Sequence, residues 1–133
     1  MSDNGLITLP SNHDVKQTVE RLEADIRSKG MAVFARIDHA AGAKEAGLVL
    51  LPTLLLIFGN ARGCTPLMQA DQRIGIDLPL KLLVWQDASG KTWLSYNDPH
   101  WLAERHQLGE RVEVNVHALT AALEAIARKA LAD

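Results

Sequence analysis

The sequence has few of the features that mark specialised classes of protein. Its 133 residues include one cysteine, Cys64, which excludes an internal disulfide and any zinc site built on several thiolates. The longest apolar run, 48–58, is interrupted by Pro52 and Thr53 and falls well short of the roughly 20 residues of a membrane span. The N-terminus lacks the charged and apolar regions of a signal peptide. We therefore expect a cytoplasmic protein without membrane contact.

The sequence also lacks a large excess of positive or negative charge. The 14 basic and 16 acidic side chains leave a net charge of −2, and the basic residues are scattered, so nucleic acid is not an expected partner. None of the five histidines has another histidine four residues away, which is the spacing that places two ligands on one helix face. We expect neither a metal nor a cofactor.

What the chain does contain is the pattern of one folded domain, 1–133, in which residues 1–5 are expected to be disordered. A helix is predicted over 14–30, with an apolar stripe at intervals of three and four, Asp14 as its N-cap and Gly30 just after its last turn. A second long amphipathic helix is predicted over 115–132.

Five segments have the composition and alternation of strands, which are 6–9, 31–38, 53–58, 79–86 and 92–97. Short helical segments are expected at 39–47, at 99–106 and at 65–75, the last with Thr65 as N-cap and Pro66 as its first helical residue. The order is β-α-β-β-β-β-α. Because sequential strands with short connections usually pair antiparallel, we predict an α+β fold in which the two long helices cover one sheet face.

Four segments resemble a known family: "ARIDHAAGAKEAGLVLLPTLLLIFGN", "TPLM", "IGIDLPLKLLVWQDASGKTWLSYNDP" and "LAERH". They are similar to the small domain-of-unknown-function family 302, over almost the whole chain. The resemblance implies a TBP-like α+β fold, with a curved antiparallel sheet and helices on one face. It also implies a homodimer, and it implies no reaction.

The stretch "FGNARGCTPLM", 58–68, lies between a buried strand and a predicted helix. Antiparallel connection brings the end of that strand, the start of the next and the end of the last strand to one end of the sheet. A groove there is predicted to bind a small polar or anionic ligand. Its expected ligand-binding residues are Asn60, Thr65, Asp77, Lys81 and Tyr96.

Two other functions stay open on the sequence alone. Cys64 could act as a nucleophile or a redox thiol, since a position just before a helix lowers a thiol pKa. His106 is expected at the same sheet end as Cys64, whereas His39 is expected at the opposite end. The catalytic residues are otherwise unknown. The remaining alternative is a structural or assembly role, and a homodimer built on the second, apolar face of the sheet is expected in each case.

Overall fold

The computed structural model describes residues 4–133. Its strands are β1 (Leu6–Pro10), β2 (Ala32–Asp38), β3 (Thr53–Gly59), β4 (Leu80–Gln86) and β5 (Thr92–Asn97). Its α-helices are α1 (Val15–Ser28), α2 (His39–Glu45), α3 (Ala61–Ala70), α4 (Pro99–Arg105) and α5 (Glu113–Leu131). Two 3-10 helices lie at Gln72–Ile76 and Glu110–Val112. The predicted α+β class and the order β-α-β-β-β-β-α are confirmed.

The five strands form one antiparallel sheet in the order β1-β5-β4-β3-β2. Two residues that lie opposite each other on neighbouring strands point their side chains to the same face of the sheet. The register of the strands therefore shows which residues lie on each of the two sheet faces. One row runs Leu9, Leu94, Val84, Leu54 and belongs to the buried core or packs against it. The neighbouring row runs Thr8, Ser95, Leu83, Leu55, Ile37 on the other face.

The two long helices pack on the first face. Val19, Leu22 and Ile26 of α1 are fully buried and share a core with Leu123 and Ile126 of α5. The expected apolar stripe of α1 is therefore confirmed, and so is the placement of both long helices on one face. Truncation of a core residue such as Leu22 to alanine should lower the free energy of unfolding by about 2–5 kcal/mol.

The predicted ends of α1 are confirmed in detail. Asp14 accepts a hydrogen bond from the Gln17 backbone N–H, and Gly30 has a φ of +78° with Met31 N bonded to Ile26 O. A residue with left-handed backbone at this position lets the last carbonyl groups of the helix find donors, and glycine adopts it without steric cost.

The start of α3 corrects the sequence prediction. The helix begins at Ala61, and its N-cap is Asn60, whose Oδ1 accepts from Gly63 N at 2.7 Å. Thr65 is therefore not an N-cap, and Pro66 is the sixth helical residue instead of the first. The segment 65–75 is divided between the end of α3 and the first 3-10 helix.

The segment 1–5 was expected to be disordered. Residues 1–3 lie outside the described residues. Gly5 is buried, and its carbonyl accepts a hydrogen bond from Asp98 N at 2.8 Å, so that part of the expectation is corrected.

Candidate functional site

Asp77 lies at the end of the sheet where β3 finishes and β4 begins. It follows the 3-10 helix Gln72–Ile76, and its backbone N–H donates to Ile74 O. Lys81 strengthens this turn, because its Nζ donates to the carbonyl oxygens of Asp77 and Pro79 at 3.1 and 3.4 Å. The turn therefore holds the Asp77 carboxylate beside the helices.

The residues that bind the Asp77 carboxylate, Arg105 and His106, lie at the end of α4. Gln107 has a φ of +53°, Leu108 N donates to Ala103 O, and Gln107 N donates to Glu104 O. This is the same helix ending that α1 completes with Gly30, here built on a residue with a side chain. The tight ending fixes His106 and Gln107 against the turn that holds Asp77.

Two side chains, those of Arg105 and His106, bind the Asp77 carboxylate. Arg105 Nη1 donates to both carboxylate oxygens at 3.0 and 2.9 Å, and His106 Nε2 donates to Oδ2 at 2.6 Å. The side chains of Asp77 and His106 are 16% and 10% exposed. A partly buried carboxylate with two charged or polar donors orients both of them, so Arg105 and His106 are held in place before any ligand arrives.

A second carboxylate–guanidinium pair lies next to the first. Asp71 accepts from the Nε and Nη2 atoms of Arg73, the latter at 2.7 Å, and from the Arg73 backbone N–H. Hydrogen bonds from the Arg73 side chain and backbone hold the pKa of Asp71 at about 2. The pair keeps Arg73 close to the 3-10 helix from which its side chain projects.

These residues enclose a cleft of about 630 Å³, which we call the arginine cleft. Its lining residues are Arg73, Ile76, Arg105, His106 and Gln107. The cleft combines two guanidinium groups, an imidazole, an amide and one apolar side chain. A concave surface with a few converging polar groups and an apolar wall is suited to a small ligand, and guanidinium groups favour an anionic one.

The expected ligand-binding residues come together only in part. Asn60 and Lys81 reach the same sheet end, since Ile57 lies opposite Lys81 and Asn60 comes three residues after Ile57. Asn60, however, uses its side-chain oxygen as the cap of α3. Thr65 is exposed on α3 and lines a different cleft, of about 650 Å³, with Met68 and Gln69.

Tyr96 corrects the prediction of a single groove. Leu83 of β4 lies opposite Ser95 of β5, so Lys81 and Ser95 share one face and Tyr96 is on the other. Tyr96 is buried in the core, and burial, followed by the charges of Glu124 and Asp98, raises the pKa of its hydroxyl. The predicted convergence of Tyr96 with Lys81 is wrong.

Cys64 is the fourth residue of α3 and is 6% exposed. Burial raises the pKa of its thiol, which is the opposite of the lowered value expected just before a helix. Within the part of the chain that the structure describes, no hydrogen bond joins Cys64 to His106. Neither observation supports the alternative in which Cys64 acts as a nucleophile.

His39 is exposed as the first residue of α2. Asp38 lies opposite Leu54 at the start of β3, whereas Asn60 follows the end of that strand. The predicted separation of His39 from Cys64 by the length of the sheet is confirmed.

The sequence prediction missed Arg73, Arg105 and Ile76. Each looks like an ordinary surface residue in its local segment, and only the fold brings 73–77 to 105–107. One signal was available: Asp77 has the turn-forming position before Leu78-Pro79, and "ERH" ends a short helix predicted to finish at the same sheet end.

The opposite end of the sheet has an apolar cleft of about 560 Å³. It lies between α2 and the loop that precedes β3, where Leu48, Val49, Leu50 and Leu51 are all exposed. Lys44 is the single cationic side chain among the residues that line it. This apolar cleft is the main alternative to the arginine cleft as a binding site.

Comparison with known proteins adds the family. The family model described as "Domain of unknown function DUF302" matches residues 7–126. The chain belongs to this family. The matched range includes all the residues of the arginine cleft, so the cleft lies within the DUF302 domain of this chain.

A crystal structure has the same fold. It is titled an uncharacterized conserved protein DUF302 from Bacillus stearothermophilus, and it matches with a TM-score of 0.84 over 95% of this chain and 98% of that chain. The sequence identity is 21%, so the likeness establishes the fold of this DUF302 protein and nothing about its ligand.

The curated relatives are longer proteins. Two of them, from Brucella suis biovar 1 and Brucella abortus biovar 1, are both named "Fluoride-specific ion channel FluC 1". Each is 50% identical over 131 residues, which are 98% of this chain but 52% and 48% of the relatives. The chain thus spans about half the length of the curated relatives it matches.

Two further observations concern the described residues alone. Among residues 4–133, no helix has both the length and the apolar character required to cross a membrane. Over the same range, no three His, Cys, Asp or Glu side chains are grouped so that they could hold a metal ion.

Proposed function

We propose that this DUF302 protein is a homodimeric module that binds a small anionic ligand in the arginine cleft. The observation that carries the proposal is the pair of oriented guanidinium groups, Arg73 and Arg105, on the wall of one cleft. Their positions are set by Asp71 and Asp77, so a ligand would not have to order these side chains when it binds.

The role of Asp77 in this proposal is positioning. Its carboxylate accepts hydrogen bonds from Arg105 and His106, which line the cleft, whereas Asp77 is not a lining residue. Lys81 acts one step further away, through the Asp77 carbonyl. Of the ligand-binding residues expected from the sequence, Asp77 and Lys81 thus keep an indirect part in the site.

The homodimer is the second part of the proposal, and its support is the sheet face that the long helices leave open. Leu55 lies between Ile37 and Leu83 on this face. The same face carries Trp85 and Trp93, whose rings stack with centroids 6.2 Å apart. Trp85 Nε1 donates to Ser95 Oγ, so its polar atom is satisfied and the surface it offers is apolar. In the homodimer that we propose, this face packs against the same face of a second copy of the chain.

Thermal denaturation with a panel of small anions tests the ligand. A binding anion should raise the melting temperature in a concentration-dependent way, and Arg105→Ala should abolish the effect. Arg62→Ala, which removes an exposed arginine of α3 outside the cleft, is the matched control. A panel without effect, or an effect that survives Arg105→Ala, would refute the proposal.

A second candidate function is a role beside a fluoride channel. The observation in its favour is the 50% identity to half of two Brucella proteins that are named as such channels. Fluoride would then be one anion for the cleft to take. Sodium fluoride should stabilise the protein more than sodium chloride at equal concentration, and equal effects of the two salts would remove this candidate.

A cytoplasmic location is part of the same proposal. It is supported by the single free cysteine, Cys64, which is buried, since proteins that keep reduced thiols are typical of a reducing compartment.

A further inference from the structure

The donor atoms of Arg105 that Asp77 leaves free point to a particular class of anion. Both hydrogen bonds between Arg105 and the Asp77 carboxylate are donated by Nη1. Among residues 4–133, no acceptor is bonded to Nε or Nη2. These two atoms form one edge of the guanidinium plane, with two parallel N–H groups. That edge matches the spacing of the two oxygens of a carboxylate.

Arg73 contributes differently. It uses Nε and Nη2 on Asp71, so Nη1 is the nitrogen that it has left. Nη1 and the second N–H of Nη2 still form a two-pronged edge on Arg73, but the Arg73 side chain is 83% exposed against 50% for Arg105, so Arg105 is the better fixed of the two anchors. A carboxylate has two oxygens to satisfy, and Arg105 can satisfy both. Inorganic phosphate can use the same donors, but it has no apolar group to place against the apolar side of the cleft.

The apolar wall sets the rest of the ligand. Ile76 lines the same cleft, and 75% of its surface is exposed. A ligand with an alkyl or aryl group next to its carboxylate would remove this side chain from water. The Ile76 side chain lies on the 3-10 helix between Arg73 and Asp77, so it is close in sequence to both anchoring pairs.

We infer that the arginine cleft takes an organic carboxylate with an apolar substituent, with Arg105 as a two-pronged anchor and Ile76 as the apolar contact. This inference rests on the proposed function, because it names the class of the anion. In this arrangement Arg73 attracts the anion by its positive charge. His106 holds the Asp77 carboxylate in place, and Asp77 in turn holds Arg105.

Isothermal titration calorimetry with a homologous series provides the test. The intact chain is titrated with sodium acetate, propionate, butyrate and hexanoate at constant ionic strength, and with inorganic phosphate and hexanol as comparators. Each added methylene that is buried should tighten binding by up to about fourfold. Hexanol, which lacks the carboxylate, should not bind measurably.

Two variants separate the two contacts. Arg105→Lys keeps the charge but loses the fork, and it should weaken every carboxylate by about tenfold or more. Ile76→Ser should leave acetate unchanged and remove the dependence on chain length. Val114→Ser is the matched control, since Val114 is similarly exposed, at 82% against 75% for Ile76, but lies on α5 outside the cleft.

The possible outcomes separate this inference from the proposed function. If phosphate binds in an Arg105-dependent way and carboxylates do not, the carboxylate inference is wrong while the anion proposal stands. If no anion binds, both are wrong. If hexanoate binds but neither Arg105→Lys nor Ile76→Ser changes its affinity, the ligand lies elsewhere and the inference is again overturned.

Discussion

The Nε2 atom of His106 lies 2.6 Å from Oδ2 of Asp77, although the two residues are 29 positions apart in the sequence. Each reaches this contact from a rigid element: Asp77 ends a 3-10 helix, and His106 ends α4. Arg105 binds the same carboxylate. The contact joins the two chain segments that make up the arginine cleft, and the account of function depends on it.

Replacing Asp77 with asparagine should therefore affect both stability and binding. Arg105 and His106 would lose a charged partner at a largely buried position, and we expect the free energy of unfolding to fall by about 1–3 kcal/mol. Anion affinity should also fall, since Arg105 would no longer be oriented. Urea denaturation and calorimetry measure the two effects. Asp71→Asn, at a pair whose arginine is 83% exposed against 50% for Arg105, should cost less stability, and an equal loss would contradict the role given to Asp77.

Asp25 should make stability dependent on pH in the acid range. It is 3% exposed on α1, with Lys29 Nζ at 2.6 Å and Lys129 Nζ at 3.2 Å. Burial by itself would raise the pKa of Asp25, but the hydrogen bonds and charges of the two lysines outweigh it, and the pKa is lowered from 3.8.

A carboxyl whose pKa is lower in the folded state stabilises the fold above its unfolded pKa, and this contribution disappears as the pH falls through the folded pKa. The difference in unfolding free energy between the protein and Asp25→Asn should thus be constant above about pH 5 and shrink below about pH 4. Glu20→Gln, at an exposed position of the same helix, is the control. A difference that stays constant down to pH 2 would contradict the assignment.

Cys64 should behave as an ordinary buried thiol. Because burial raises its pKa and the side chain is shielded, reaction with a disulfide reagent at pH 8 should be slower than in the denatured protein by at least about tenfold. Cys64→Ala should keep its anion affinity. Rapid labelling of the folded protein below pH 7 would instead restore the alternative of an enzyme with Cys64 as nucleophile.

The open face of the sheet should hold two copies together. We expect a mass of about 29 kDa in solution at micromolar concentration, twice the 14.6 kDa of one chain. Leu55→Asp puts a charge between Ile37 and Leu83 in the middle of that face and should give a monomer. Val114→Asp, at an exposed site on α5, should remain dimeric. A mass of about 15 kDa for the unmodified protein would show that the face is not an interface.

The strands and long helices could be predicted because their signals are local. Apolar spacing defined α1 and α5, and Gly30 marked a helix end at which a positive φ is needed. The start of α3 was misplaced because two positions compete there. Thr65 before Pro66 has the sequence pattern of a helix start, but Asn60, at the end of β3, takes the capping role.

The site was harder, for a physical reason. Arg73 and Arg105 acquire their roles from contacts between segments that no local pattern links. The error over Tyr96 was avoidable, however. A hairpin that places Gln86 opposite Thr92 also places Leu82 opposite Tyr96, so counting along the two strands assigns Lys81 and Tyr96 to opposite faces.

The most direct test of the central claim is to map the bound anion on the amide spectrum of the protein by nuclear magnetic resonance. Titration with sodium hexanoate should shift the backbone signals of 73–77 and 105–107, and leave those of 38–54 at the far end of the sheet unchanged. Shifts confined to 38–54, where the apolar cleft beside α2 lies, would contradict the claim that the arginine cleft is the binding site.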